Sequence, residues 1–188
     1  MTVDEDEMAI TLTTTINDFF GSQIMVPETG IIMNDEMNDF SIPVIDNAFG
    51  NKPSPANLIQ PGKRPLSSIS PVIVEFLTNS SLYFVVGGAG GTRIITSVVE
   101  TLWHVLDQGL TAPEALAQPR FHDQLSPNQV EFDWTYDNST VAYMASRGHN
   151  CTWVEPGISI VQAIRRLPNG TLEAATDPDL FNGGGYAF

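Results

Sequence analysis

The sequence predicts an α+β fold, and three observations carry that prediction. Two β-rich runs, residues 72–77 and 82–86, flank Thr78-Asn79-Ser80-Ser81 in the manner of a hairpin. After glycines at 87, 88, 90 and 91, apolar residues at 94, 95, 98, 99, 102 and 106 recur at the spacing of an amphipathic helix. Strand signals then return at 129–133, 152–154 and 158–164. Strands, then helices, then strands is the order of an α+β chain.

The remaining elements follow from local chemistry. Residues 8–17 alternate with period two, placing Ile10, Leu12, Thr14 and Ile16 on one strand face and Ala9, Thr11, Thr13, Thr15 and Asn17 on the other. The acidic run 4–7 between Val3 and that strand reads as a solvated hairpin turn. The helix that starts near 94 should end near Gly109, and Thr111-Ala112-Pro113-Glu114 is a capping box that opens a second one. Residues 139–147 read as a third helix, and Pro168-Asn169-Gly170 joins strand 158–164 to a strand over 171–175. Residues 41–61 have no period, and so long an irregular stretch in a compact domain is expected to border a binding site. No repeat or low-complexity tract marks a boundary, so residues 1–188 are expected to form one domain.

Composition excludes some functions. With 22 acidic and 8 basic side chains among 188 residues the chain carries a net charge of −14, the wrong sign for nucleic acid or an anionic membrane surface. The single cysteine, Cys151, cannot make an intrachain disulfide. Four Asn-x-Ser/Thr triplets, at Asn79, Asn138, Asn150 and Asn169, are glycosylation acceptors if the chain enters a secretory lumen. The start of the chain is acidic where a signal peptide would be basic and then apolar, so a signal or anchor is expected upstream of Met1.

Candidate chemistry lies in four places. The glycines around 90 and 91 fit neither the dinucleotide fingerprint nor a phosphate loop. Between a strand and a helix N-terminus, however, their N–H groups can hold an anion or a developing oxyanion. Thr15 and Asn17, two apart on a strand face, would set their polar ends about 7 Å apart. Glu36 and Asp39, three apart, share one side of a helical turn suited to a ligand ammonium. Ser67 and Ser68, in a loop stiffened by Pro65 and Pro71 beside Lys63-Arg64, offer two hydroxyls to a carboxylate. His104, His122 and His149 lack metal-ligand spacing, so no metal site is expected.

These segments occur in an order that resembles the small subunit of γ-glutamyltranspeptidase, also called glutathione hydrolase. The matching stretches are Thr13-Thr14-Thr15-Ile16-Asn17, Phe20-Gly21-Ser22, Thr29-Gly30-Ile31, Asn34-Asp35-Glu36-Met37-Asn38-Asp39-Phe40-Ser41, the run from Gly62 to Pro71, the run from Gly87 to Ile95, and Ala117-Gln118-Pro119-Arg120-Phe121-His122. The resemblance implies a four-layer αββα sandwich of the N-terminal nucleophile hydrolase type. It also implies a precursor that cleaves itself into two subunits, and no cofactor. An N-terminal threonine of the small subunit would attack the γ-glutamyl amide of glutathione or another γ-glutamyl compound, and water, an amino acid or a dipeptide would accept the γ-glutamyl group.

Carried over by motif, Thr15 would hydrogen-bond the nucleophile, while Asn17, Glu36, Asp39, Ser67 and Ser68 would hold the amino and carboxylate ends of the γ-glutamyl group. Gly90 and Gly91 would form the oxyanion hole, and 41–61 a lid. The nucleophile's own position falls before Met1, so the chain is expected to lack its first strand and to be inactive alone. The large subunit would be its partner, and the compartment a secretory lumen, a vacuole or the cell exterior. Asp177-Pro178-Asp179 departs from the family, where an arginine usually follows the proline. The alternative function is a non-catalytic γ-glutamyl-binding or subunit-interaction module.

Overall fold

The computed structural model describes residues 1–180 and 182–187. They divide into two compact units, residues 14–68 and a second made of residues 1–13 with residue 69 onward, where the sequence shows no boundary.

The larger unit is built on an antiparallel sheet. Strand β5 (Val72–Glu75) turns at Asn79 and Ser80 into β6 (Leu82–Ala89), and β10 (Ile160–Arg166) pairs with β6 on its other side and carries β11 (Leu172–Thr176) at the edge. Helix α1 (Arg93–Leu106) and the short α2 (Ala112–Leu116) cover one face, and the core between them holds Phe84, Val86, Ile94, Val98, Val105, Leu116 and Val161. The capping box at Thr111 and Glu114 forms with both of its hydrogen bonds. The helical spacing was read as one apolar face, but α1 has two. Ile94, Val98 and Val105 are buried, whereas Ile95, Val99, Trp103 and Leu106 point outward and are about half exposed.

A smaller sheet joins β7 (Phe121–Asp123) antiparallel to β8 (Val130–Asp133), and β8 parallel to β9 (Cys151–Val154) through the crossover helix α3 (Asn138–Ser146). Strands and helices thus combine as the α+β class requires.

The N-terminal hairpin is present, with β1 (Thr2–Val3) against β2 (Ala9–Ile10) and its turn closed by Asp4 N–H to the Met8 carbonyl and Glu7 N–H to Asp4. Glu7 is more than a solvated turn residue: its carboxylate pairs with Arg166 at 2.6 Å and accepts the Leu82 N–H at 3.2 Å. The strand expected over 8–17 ends at Ile10, because a strand needs a neighbour's ladder and no described strand pairs with 11–17. The alternation survives as far as Leu12. The threonine side chains pack inward, with Thr11 and Thr13 over Gly87, while Met8, Ile10 and Leu12 are 57–76% exposed.

The smaller unit, residues 14–68, has little regular structure. It contains the two-residue strands β3 (Met25–Val26) and β4 (Ile31–Ile32), and 3-10 turns over Glu36–Asp39 and Pro55–Asn57. Residues 41–61 are irregular, as their lack of period requires. They are cinched at the base, where Ser41 N–H bonds the Asn57 carbonyl and Asn57 Nδ2 donates to the Asp39 carbonyl at 2.7 Å.

Candidate active site

Each unit carries part of the candidate set. In residues 14–68 the chain turns sharply at Thr15. Asn17 lies at φ 71°, and its N–H donates to Thr15 Oγ1 at 2.8 Å. The expectation of two side chains 7 Å apart on a strand face is therefore replaced by a tight hydroxyl-backbone turn. Asn17 Nδ2 reaches the Asp35 carbonyl, and Asp35 accepts from Asp18 N–H and Asn38 Nδ2 at 3.1 Å each. Asp35 thus ties the irregular backbone at 16–18 to the 3-10 turn that follows Asp35. Its role was missed, although it stands inside a quoted motif.

On that turn Glu36 and Asp39 share one side, as their spacing predicts. The Glu36 carboxyl is pushed up to about 7, first by desolvation and then by the hydrogen bond it shares with Asp39 and the negative charges of Asp39 and Asp35; the Thr15 hydroxyl opposes this by donating to it. Glu36 Oε1 is shielded from solvent and receives no donor. Two carboxylates forced together beside a hydroxyl make a receptor for a cation with several N–H groups, since an arriving ammonium relieves their repulsion. Ser67, exposed, and Ser68, half-buried, lie in the irregular segment before Pro71.

In the larger unit, the four glycines are divided between β6 and the turn that leads from it into α1. Gly87 and Gly88 are buried inside β6. A Cβ at Gly88 would stand 2.9 Å from the Ile160 carbonyl oxygen, so the close approach of β10 requires glycine there. Gly90 (φ 136°) and Gly91 (φ 61°) make the turn itself, and a Cβ on Gly90 would lie 2.8 Å from Ser159 Cα. Thr92 provides no side-chain cap for α1; the Arg93 and Ile94 N–H groups donate back to the Gly90 and Gly91 carbonyls at 3.2 Å each, which closes the turn.

Behind this turn is a polar cluster that the sequence did not single out. Arg120, 8% exposed, donates to the Ser159 and Leu116 carbonyls at 3.0 Å and to Asp177 Oδ2 at 2.6 Å. Asp177, 1% exposed, also accepts the Val161 and Asp179 N–H groups. Three polar contacts pin α1 to the smaller sheet: Arg93 to Glu131, Thr96 to His122 at 2.9 Å, and Glu100 Oε1 to Phe121 N–H at 3.1 Å.

Desolvation pushes the Glu100 carboxyl up to about 8, against the lowering pull of the Phe121 N–H and of Arg120 and with a further push from Asp133. The folded protein therefore holds a proton on Glu100 that the unfolded chain, at an ordinary carboxyl value of 4.5, releases. Stability from this group is complete below the unfolded value and falls as pH rises toward 8. Glu100→Gln should flatten the decline of melting temperature between pH 5 and 8. A mutant that keeps the wild-type slope would show that another group titrates.

Comparison with known proteins places the chain in a family. A family model described as Gamma-glutamyltranspeptidase matches residues 1–183. A glutathione hydrolase proenzyme of Arthroderma benhamiae is 52% identical over 184 residues, 98% of this chain and 31% of that protein. The Escherichia coli glutathione hydrolase proenzyme is 37% identical over 94% of this chain and 30% of its own length. The chain thus spans about a third of the length of these relatives. Among solved structures, gamma-glutamyltranspeptidase from Pseudomonas nitroreducens complexed with L-DON superposes with a TM-score of 0.89 at 37% identity, covering 98% of this chain and 96% of that one. An acivicin-inhibited gamma-glutamyltranspeptidase gives 0.88 at 36% identity, with 95% and 96% covered. From its motifs, its fold and these likenesses, the chain belongs to the gamma-glutamyltranspeptidase family.

Proposed function

We propose that this chain is the small-subunit portion of a γ-glutamyltransferase and glutathione hydrolase, produced by cleavage of a precursor and paired with a large subunit. The observation that carries the reading is the Glu36–Asp39 pair beside Thr15. A γ-glutamyl group differs from other acyl groups in its free α-ammonium and α-carboxylate, and a crowded carboxylate pair is a receptor for the first of these. Asn17 completes the amino-acid end, and Ser67 and Ser68 take the carboxylate.

The reaction then runs as an acyl transfer. A threonine hydroxyl, supplied from outside these 188 residues, attacks the γ-carbonyl carbon while an amine base takes its proton. The carbonyl electrons move onto oxygen, where the N–H groups at Gly90 and Gly91 stabilise them. The C–N bond breaks, the leaving amine takes the proton, and water or an acceptor amine then attacks the γ-glutamyl-threonine ester. In this reading the chain alone does not turn over, residues 41–61 close over the bound group from their anchor at Asp39, and the protein works in a secretory lumen, a vacuole or outside the cell.

The test uses the assembled enzyme with γ-glutamyl-p-nitroanilide and its glutaryl analogue, which lacks only the amine. The glutaryl compound should lose about 10²-fold or more in kcat/KM, the scale on which a buried polar group left unpaired is penalised. Asp39→Asn should erase most of that preference. Because binding an ammonium favours ionised Glu36, KM for the γ-glutamyl compound should fall as pH rises from 6 to 8. Equal turnover of the two compounds would sink the proposal.

A further inference from the structure

The four Asn-x-Ser/Thr triplets all have exposed asparagines, yet the structure sorts them into two kinds. In the β5–β6 turn, Asn79 Oδ1 accepts from Ser81 N–H at 3.2 Å and from Ser81 Oγ at 2.9 Å. In the β10–β11 turn, Asn169 Oδ1 accepts from Thr171 N–H at 3.1 Å and Thr171 Oγ1 at 2.8 Å. The middle residue is left-handed in both, Ser80 at φ 55° and Gly170 at φ 88°. Each triplet is a closed Asx turn with asparagine amide and hydroxyl in direct contact.

The other two spend the hydroxyl elsewhere. Asn138 opens α3, and Thr140 Oγ1 donates instead to the N-cap carboxylate of Asp137 at 2.7 Å, together with Ser139 Oγ at 2.6 Å. Those bonds hold the Asp137 carboxyl well below the usual range, a measure of how firmly the hydroxyls are engaged. Asn150 leads into β9, where Thr152 Oγ1 turns to the Val130 carbonyl. Positions i and i+2 lie on different sides of a helix and about 7 Å apart along a strand.

From these two geometries we infer that Asn79 and Asn169 are the N-glycosylated positions of this protein, and that Asn138 and Asn150 stay unmodified. An oligosaccharyl transferase must read the asparagine and the hydroxyl two residues on together. A turn that already joins them presents both at little ordering cost. In the transfer, Asn Nδ2 attacks C1 of a polyprenyl-pyrophosphate-linked oligosaccharide. The N–C1 bond forms, the C1–O bond breaks with its electron pair leaving on the pyrophosphate, and the amide gives up one proton to a base of the transferase.

Arg165 of β10 pairs with Phe84 of β6, so the β5–β6 and β10–β11 turns share one end of the sheet. Gly90 follows the other end of β6, about 24 Å away along seven residue steps. Two glycans would stand about 10 Å apart, two strand spacings, and would keep that end of the sheet in solvent and away from any protein partner.

The inference rests on the lumenal reading, and the experiment separates the two. The full precursor is secreted from a fungal host behind a heterologous leader, digested, and treated with peptide N-glycosidase in heavy-oxygen water, so that each occupied asparagine gains a mass tag. Occupancy at Asn79 and Asn169 should exceed that at Asn138 and Asn150 by about fivefold or more. Gly170→Val keeps the triplet but disfavours the left-handed turn, and should cut Asn169 occupancy about fivefold. Equal occupancy at all four sites, bare Asn79 and Asn169, or an unaffected Gly170→Val variant would overturn the inference. The leader forces lumenal passage, so a bare chain counts against these sites; the natural compartment is read from glycans on protein taken from its native source.

Discussion

Replacing Asp177 by alanine is expected to produce the largest loss of stability of any single substitution in the larger unit. Asp177 is 1% exposed and its carboxylate takes the Arg120 guanidinium at 2.6 Å together with two backbone N–H groups. Removing it strands a buried positive charge between the Leu116 and Ser159 carbonyls and leaves two amides short of an acceptor. Breaking one side of a buried pair typically costs about 3–5 kcal/mol, several times the worth of a surface bridge. For a chain of this size that corresponds to a fall in melting temperature on the order of 10 °C. Urea or thermal unfolding of the purified protein reads it directly. Asp179→Ala is the control, because Asp179 is exposed and offers the cluster only its backbone N–H bond. A loss below about 1 kcal/mol for Asp177→Ala would mean that water replaces the carboxylate at no great cost.

Gly90→Ala should be the most damaging substitution for catalysis in the assembled enzyme. Its φ of 136° is a region that side-chain-bearing residues avoid, and the new Cβ would press within 3.0 Å of Ser159 and of the Ile158 carbonyl, so the turn must move. Losing one correctly aimed oxyanion donor costs about 10²–10³ in kcat. The signature is a fall in kcat with KM little changed, because the oxyanion exists only in the transition state. Gly87→Ala supplies the contrast. There the nearest atom is the Thr11 hydroxyl at 3.2 Å, a side chain able to yield, and activity should stay within a few-fold of wild type. A Gly90→Ala enzyme with unchanged kcat would remove Gly90 from the oxyanion hole.

What the sequence made legible was whatever is encoded within a few neighbouring residues. The hairpins at 3–9 and 75–82, the Thr111 capping box, α1 and α3 all came from periodicity, caps and turns, and Glu36 and Asp39 from their spacing. The strand over 11–17 failed because alternation states a preference, whereas a ladder needs a partner. Phe121–Asp123 was missed as a strand because three residues carry no measurable period. The Arg120–Asp177 pair joins positions 57 apart. Glu100 looks like any charged residue on a helix until β7 lies over it. Gly87 and Gly88 answer to Thr11 and Ile160, which no local reading can bring beside them.

Helix α1 carries two apolar faces with different surroundings. Ile94, Val98 and Val105 are held by the core of the larger unit, while Ile95, Val99, Trp103 and Leu106, one step around the same cylinder, are not. In a saturation scan read twice, once for protein abundance and once for activity, the first set should fail both screens. The second set should tolerate polar residues in the abundance screen, and any position there that fails only for activity marks where evolution is constrained by something other than folding. One fourteen-residue helix would then record two histories of substitution, offset by about a hundred degrees of rotation.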